Sequence, residues 1–216
     1  MTLFSCGQKG AGETAAPITE VKKASTTTAP SFNADSAYAY VEKQVSFGYR
    51  VPNTPAHKAC GDYLVSELKR FGAQVYEQEA TLKAYDGTPL ESRNIIGSFN
   101  PDKDKRILLF AHWDTRPYSD HDPDPANHKK PLDGADDGAS GVGALLEIAR
   151  QMGMKAPEVG VDIIFFDAED YGTPEFAKDR YNDTSDTWCL GSRFWGKNPH
   201  KPGYKAEFGI LLDMVG

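Results

Sequence analysis

The sequence predicts an α/β fold built around a largely parallel sheet, and three features of the chain indicate it. Two short, continuous apolar runs, Arg106 to Phe110 and Val161 to Phe166, are typical of strands that are buried on both faces. Between them, Val142 to Met152 carries apolar residues along one side of a helix. Acidic residues follow both runs, at the strand ends where open α/β sheets form their binding sites. The region from 106 to 166 is therefore predicted to be a βαβ unit.

The remaining elements are predicted from the spacing of apolar residues, which differs between helices and strands. In chain order, the sequence predicts helices at 35–44 and 55–71, strands at 74–82, 94–99 and 106–110, a helix at 142–152, and strands at 161–166 and 208–212. The second helix is indicated by apolar residues at positions 59, 63, 64 and 68, which recur at helical spacing, and by Gly72, which suits a helix end. The first two strands show the alternation and the residue types of β structure.

The chain divides into two parts of different composition. Residues 1–31 are rich in Gly, Ala, Ser, Thr, Pro and Lys and bury too little apolar surface to offset the entropy of ordering, so they are predicted to be a flexible tether. Cys6 follows a short Leu-Phe-Ser stretch as the lipidated cysteine of a bacterial lipoprotein does, although an ordinary exposed thiol is the alternative. We expect an exported protein of the periplasm or outer membrane, attached to the membrane through Cys6. Residues 32–216 are predicted to form one α/β domain.

Composition and charge exclude several classes of protein. Of the 216 residues, 39% are hydrophobic and 25% are charged, which is typical of a globular chain. The net charge of −7 at pH 7 argues against binding to a phosphate backbone, so nucleic acid is not an expected partner. No segment has the roughly 18 successive apolar residues that a membrane span needs. Three cysteines are too few for a disulfide scaffold, although Cys60 and Cys189 could pair in an oxidising compartment.

Polar residues gathered at the strand ends predict a divalent metal site. They lie after three strands and at the start of the central helix, and they are His112, Asp114, Asp136, Asp137, Asp167, Glu169, Asp170 and Asp213. Carboxylates collected at one edge of a sheet repel each other unless a cation holds them. Asp137 could cap the helix that follows it, but the surrounding glycines at 134, 138 and 141 favour a backbone that bends around an ion.

The candidate site residues have different predicted roles. Glu169 and Asp170 point in opposite directions along an extended chain, so one can bind the metal while the other carries a proton; two exposed acids are the alternative. His112 is either a metal ligand or a histidine oriented by hydrogen bonds. Trp188 suits the wall of a pocket. The other histidines are interpreted as surface residues: His57, His121, His128 and His200. The sequence contains neither the Gly-x-Ser-x-Gly motif of serine hydrolases nor a P-loop.

Four motifs in this order resemble those of the zinc exopeptidase family. They are AHWDTRP at 111–117, DGADDGASGV at 133–142, FFDAED at 165–170 and LLDMVG at 211–216. The family holds aminopeptidases and, as a branch, the animal-type glutaminyl cyclases. Within it the chain looks most like the bacterial cyclases, because Asp170 stands where aminopeptidases usually carry a second Glu, and because Trp188 precedes Gly-Ser-Arg much as in the cyclases.

The resemblance implies a fold and a set of residue roles. The fold is a three-layer α/β/α arrangement with a central mixed, mostly parallel sheet. The roles are zinc ligands at Asp137 and Asp170, a general acid and base at Glu169, a supporting hydrogen-bond network that includes Asp213, and a substrate pocket lined by Trp188. His112 matches a ligand of the two-zinc aminopeptidases. The last zinc-binding histidine of the family corresponds to a position beyond Gly216, so fold and site are expected to be incomplete at the C-terminus.

The resemblance also implies a reaction. A glutaminyl-peptide cyclotransferase converts the N-terminal glutamine of peptides to pyroglutamate and releases ammonia, and it needs one zinc ion. The alternative is a zinc aminopeptidase, which would hold two ions and activate water. Expected partners in both cases are peptides or proteins with a free N-terminus, and the protein is expected to be a monomer. A third hypothesis is a surface lipoprotein that binds peptides without catalysis.

Overall fold

The computed structural model describes residues 29–181 and 185–216. The compact unit Ser31–Gly216 is built on one five-stranded sheet. Its main elements are α1 (Ala34–Val45), α2 (Pro55–Arg70), β1 (Gln74–Lys83), β2 (Pro89–Phe99), β3 (Arg106–His112), α3 (Gly141–Met154), β4 (Gly160–Phe166), α4 (Leu190–Lys197) and β5 (Gly209–Leu211). The predicted βαβ unit corresponds to β3, α3 and β4.

Local sequence explains where the first two helices begin. Asn33 caps α1 by accepting a hydrogen bond from the amide of Ser36 at 2.9 Å. Thr54 caps α2 in the same way through the amide of His57 at 3.2 Å, and Pro55 occupies the first turn, where a helix needs no backbone donor. Both helices therefore begin and end within one residue of their predicted bounds.

The sheet has the strand order β1-β2-β4-β3-β5. β3 pairs in parallel with both β4 and β5, whereas β2 is antiparallel to both β1 and β4. Four strands therefore run in one direction and β2 runs against them, which confirms the mixed, mostly parallel sheet. Because β3, β4 and β5 are parallel, their carboxyl ends lie at the same edge.

Helices cover both faces of this sheet and give the predicted three layers. On one face, Ile163 of β4 packs in a core with Leu64 of α2 and Leu145 of α3. The next residue, Ile164, points to the other face, where it belongs to a core that includes Trp195 of α4. All seven residues of β4 are buried, as predicted for a strand covered on both sides.

A buried ion pair joins the strands where β3 and β4 begin. Arg106 Nε lies 2.7 Å from Asp162 Oδ2, and the hydroxyls of Ser98 and Tyr204 donate to the same carboxylate at 2.5 and 2.8 Å. Burial by itself raises the pKa of Asp162, but the hydrogen bonds from Arg106, Ser98 and Tyr204 outweigh it and hold that pKa below its ordinary value. This cluster fixes the end of the sheet opposite to the predicted site.

Several predictions concern the beginning of the chain and the cysteines. Residues 1–28, with Cys6 and most of the predicted tether, lie outside the described residues, so the tether and the lipid anchor stay predictions. In the described part of the chain, no helix is long and apolar enough to cross a membrane. Cys60 and Cys189 are both free thiols.

Candidate metal centre and active site

The predicted site residues meet at the carboxyl edge of the sheet. His112 is the last residue of β3, and Asp213 follows the end of β5. Glu169 and Asp170 lie in the loop after β4, and Asp137 lies in the turn that leads into α3. The common direction of the three strands brings these separate parts of the sequence together.

Three of these side chains converge closely enough to share one ion. His112 Nε2 lies 2.8 Å from Asp137 Oδ1 and 3.6 Å from Asp213 Oδ1. One ligand atom from each residue lies within 4.8 Å of the others. Burial by itself lowers the pKa of His112, but the carboxylates of Asp114 and Asp137 outweigh it and raise that pKa well above its ordinary value. A divalent cation bound here would supply the positive charge that a proton on His112 otherwise supplies to the neighbouring carboxylates.

The turn before α3 explains how Asp137 reaches His112. Asp137 has extended rather than helical backbone angles. Its carboxylate does not cap α3, which has no side-chain cap, and Asp137 Oδ1 lies against the imidazole of His112. Gly138 follows with φ +90°, and a Cβ at this position would lie 2.9 Å from the carbonyl oxygen of Asp114 and 3.1 Å from His112 Cε1. Glycine is therefore required for the turn to approach the histidine so closely.

Asp114 holds the loop that carries the acidic pair. Its buried carboxylate accepts hydrogen bonds from the amides of Glu169 at 3.0 Å and Asp170 at 3.2 Å. It also lies 3.4 Å from His112 Nδ1. Burial alone would raise the pKa of Asp114, but His112 and the two amides lower it. Asp114 thus holds the acidic loop by hydrogen bonds and faces His112 at ion-pair distance.

Glu169 lies in a small cavity at the edge of the sheet. The cavity has a volume of about 90 Å³, and its walls include His112, Glu169, Cys189 and Asp213. The thiol of Cys189 donates to Glu169 Oε1 at 3.0 Å. Burial is the main cause that raises the pKa of Glu169 above its ordinary value. A carboxyl group with a raised pKa is suited to proton transfer near neutral pH.

Asp170 stands outside the three-residue cluster. Its carboxylate is buried and accepts a hydrogen bond from Arg116 Nη1 at 3.2 Å. Burial, followed by the charges of Asp137 and Asp114, raises the pKa of Asp170 to about 8. The Asp170 carboxylate therefore feels the charge of Asp137 in the cluster, but its hydrogen bond is to the guanidinium of Arg116.

Trp188 adjoins the site through the same arginine. The guanidinium of Arg116 lies over the Trp188 ring, 4.7 Å from the centroid, and its Nε and Nη2 donate to the two oxygens of Asp120 at 2.8 Å. Gly172 makes room for this ring, since a Cβ there would lie 2.0 Å from Trp188 Cε2. The half-buried ring thus lies against the guanidinium that also binds Asp170, and its role as a pocket wall stays a prediction.

The interpretation of His57 as a surface residue is wrong. His57 is buried, stacks on Trp113 with ring centroids 4.3 Å apart, and places Nε2 2.9 Å from both oxygens of Asp167. Its place on α2, three, four and seven residues before Cys60, Gly61 and Leu64, was the signal for a buried position. His200 is half-buried beside Trp195, while His121 is exposed as predicted.

Comparisons with known proteins agree with this architecture. The sequence profile of peptidase family M28 matches residues 94–216. A Zn-dependent exopeptidase from Parabacteroides distasonis is 76% identical, with a TM-score of 0.84 over 87% of this chain and 63% of that one. The glutaminyl cyclase of Tannerella forsythia is 69% identical, with a TM-score of 0.83 and the same coverage of 87% and 63%.

A more distant relative lies among the curated proteins. Glutaminyl-peptide cyclotransferase of Bos taurus is 26% identical over 192 residues, which is 77% of this chain and 48% of that protein. The chain spans less than half the length of the curated relatives it matches. It spans 63% of the two solved structures.

Proposed function

The chain belongs to peptidase family M28, and we propose that it acts as a zinc-dependent glutaminyl-peptide cyclotransferase. One observation carries the proposal: a half-buried acid, Glu169, and two members of a metal-binding cluster, His112 and Asp213, line the same small cavity. The 69% identity to a glutaminyl cyclase supports the cyclase branch of the family.

The donor set at this edge fits zinc. Imidazole nitrogen and carboxylate oxygen are ligands that zinc takes in catalytic sites. We propose Asp137 and Asp170 as ligands of the ion that acts in cyclisation. The raised pKa of Asp170, about 8, has the character expected of a buried carboxylate that needs a nearby cation to stay ionised at neutral pH.

The reaction joins the free α-amine of an N-terminal glutamine to its own γ-carbonyl carbon and expels ammonia. When bound, zinc supplies a Lewis acid that polarises the γ-carbonyl oxygen. Glu169 accepts a proton from the attacking amine and delivers it to the departing nitrogen, so that ammonia leaves and the carboxylate is restored. Asp213 orients the substrate amide through a hydrogen bond, and Trp188 excludes water beside the glutamine side chain.

Mass spectrometry of one peptide tests this proposal. A short peptide with an N-terminal glutamine is incubated with the zinc-loaded, full-length protein. Loss of one ammonia from the peptide is the expected result. An unchanged peptide would contradict catalysis on this substrate and favour a binding protein.

A zinc aminopeptidase is the second candidate, and the His112, Asp137 and Asp213 cluster favours it. In this candidate, His112, Asp137 and Asp213 would hold one ion and Asp170 would contribute to a second, as a two-metal hydrolase requires. The 76% identity to a Zn-dependent exopeptidase is consistent with this candidate. Release of free glutamine from the same peptide, with about two zinc ions per chain, would establish it; about one ion per chain and loss of ammonia would establish the cyclase.

A further inference from the structure

Arg50 is a buried arginine beneath the two loops that carry the metal-binding cluster. It lies between α1 and α2 and has 0% of its surface exposed. Among the described residues, no carboxylate lies within ion-pair distance of its guanidinium. Three backbone carbonyls surround it instead: Nε donates to Trp113 O at 3.3 Å, Nη1 to Asp133 O at 2.9 Å, and Nη2 to Gly134 O at 2.6 Å.

These carbonyls belong to both halves of the metal-binding cluster. Trp113 lies directly after His112, and Asp133 and Gly134 begin the turn that leads to Asp137. The backbone of Arg50 adds a fourth connection, because its carbonyl accepts from the amide of Thr115 at 3.2 Å. One residue thus joins two loops that are separate in sequence.

The packing around Gly134 shows how closely this residue and the loops fit. Gly134 has φ +59°, and a Cβ at this position would lie 2.8 Å from Arg50 Nη2 and 2.3 Å from Thr115 Cγ2. A buried guanidinium is costly unless its donors are matched by acceptors, and here the acceptors are supplied by the loops themselves. A shift of either loop would leave the charge with fewer hydrogen bonds.

We propose that Arg50 is a positioning residue that fixes the separation of His112 and Asp137 and thereby sets the affinity of the metal-binding cluster. This inference rests on the proposed function, in which Asp137 is a zinc ligand. A planar guanidinium reaches three carbonyls that lie in different directions, whereas the ammonium of a lysine concentrates its donors on one nitrogen. Charge alone therefore does not replace Arg50.

The test compares Arg50→Lys with Arg106→Lys. Arg106 is also buried and lies on β3, but its partner Asp162 is at the other end of the sheet. Zinc affinity of the full-length protein is measured by competition with a chromophoric chelator, and Tm is measured without metal. Arg50→Lys is expected to weaken zinc binding by about 10–100-fold, as loss of a residue that orients metal ligands does. Arg106→Lys is expected to lower Tm and to leave zinc affinity within about twofold.

Hydrogen exchange in the metal-free protein separates this inference from the proposed function. The reporting amides are those of Thr115 and Ala139, which donate to Arg50 O and Gly134 O at 3.2 Å. Faster exchange of both amides in Arg50→Lys, but not in Arg106→Lys, would support the positioning role even if the wild type bound no zinc. Absence of zinc binding in the wild type would contradict the proposed function alone. Unchanged exchange, or equal loss of zinc affinity in both variants, would overturn the positioning role.

Discussion

Glu169 is the residue whose chemistry the proposed reaction needs most. Glu169→Gln keeps the shape of the side chain but cannot carry the proton, so kcat is expected to fall by about 10²–10⁴-fold. Zinc content should not change, because Glu169 is not an assigned ligand. Initial rates of pyroglutamate formation and elemental analysis of the same preparations measure both quantities.

The control is Glu175→Gln, six residues further along the same connection between β4 and α4. Glu175 is exposed and pairs with Lys178 rather than with the site. It should keep wild-type activity. Full activity in Glu169→Gln, or an equal loss in both variants, would contradict the role of Glu169.

Cys189 controls the orientation of Glu169 through one hydrogen bond. Its thiol donates to Glu169 Oε1 at 3.0 Å. The backbone of Cys189 has a φ of +55°. Cys189→Ser keeps a donor at this place, and Cys189→Ala removes it. Since a hydrogen bond to a charged group contributes about 1.5–3 kcal/mol, kcat of the alanine variant is expected to be at least about tenfold below that of the serine variant, at similar KM. Equal kcat values in steady-state assays would show that the thiol has no such role.

At the scale of elements, the ion pair of Asp162 and Arg106 connects β4 to β3. Asp162→Asn removes one partner and leaves a buried guanidinium without its counter-charge. The free energy of unfolding is therefore expected to fall by about 3–5 kcal/mol. Urea unfolding at pH 7 measures this loss. The matched change Asp186→Asn concerns an exposed acid and should cost less than about 1 kcal/mol.

The same pair gives a pH dependence with a definite sign. The pKa of Asp162 is lower in the folded protein than in the unfolded chain, where it is about 3.9. Its stabilisation is thus fully present above that value and is lost as the pH falls through the folded-state pKa. The difference in stability between wild type and Asp162→Asn should be constant from about pH 5 to 8 and should shrink below about pH 4. A difference that stays unchanged at pH 3 would exclude the carboxylate as its source.

Elements with one strong local pattern were predictable from the sequence, and strand direction was not. Continuous apolar runs and an amphipathic stripe correctly indicated β3, α3 and β4. The antiparallel direction of β2 depends on pairing with β4, a distant segment, and alternation carries no information on direction. The charged residues Arg106 and Asp162 near the starts of two apolar runs were a signal for their pairing, because opposite charges inside buried strands need each other.

In the molecule as a unit, the sequence predicts the site correctly for those residues that lie at the ends of strands. His112, Glu169 and Asp213 lie at or just after the ends of parallel strands, so the topology alone brings them to one edge. Arg50 and His57 lie outside that pattern. Arg50 binds main-chain carbonyls, which have no signature in sequence, and His57 pairs with Asp167 across 110 positions of the chain.

Zinc binding should stabilise the whole domain, because its ligands come from loops that only the folded sheet brings together. At a zinc concentration of about 100 Kd, the free energy of unfolding should rise by about 2.7 kcal/mol, which corresponds to a Tm increase of about 5–10 °C for a chain of this size. EDTA should reverse the shift in differential scanning calorimetry. Asp137→Asn should remove most of it, since Asp137 is a proposed zinc ligand in both candidate functions, whereas Asp102→Asn, at an exposed turn, should keep it. A full shift in Asp137→Asn would remove Asp137 from the ligand set, and no shift in the wild type would contradict the zinc site itself.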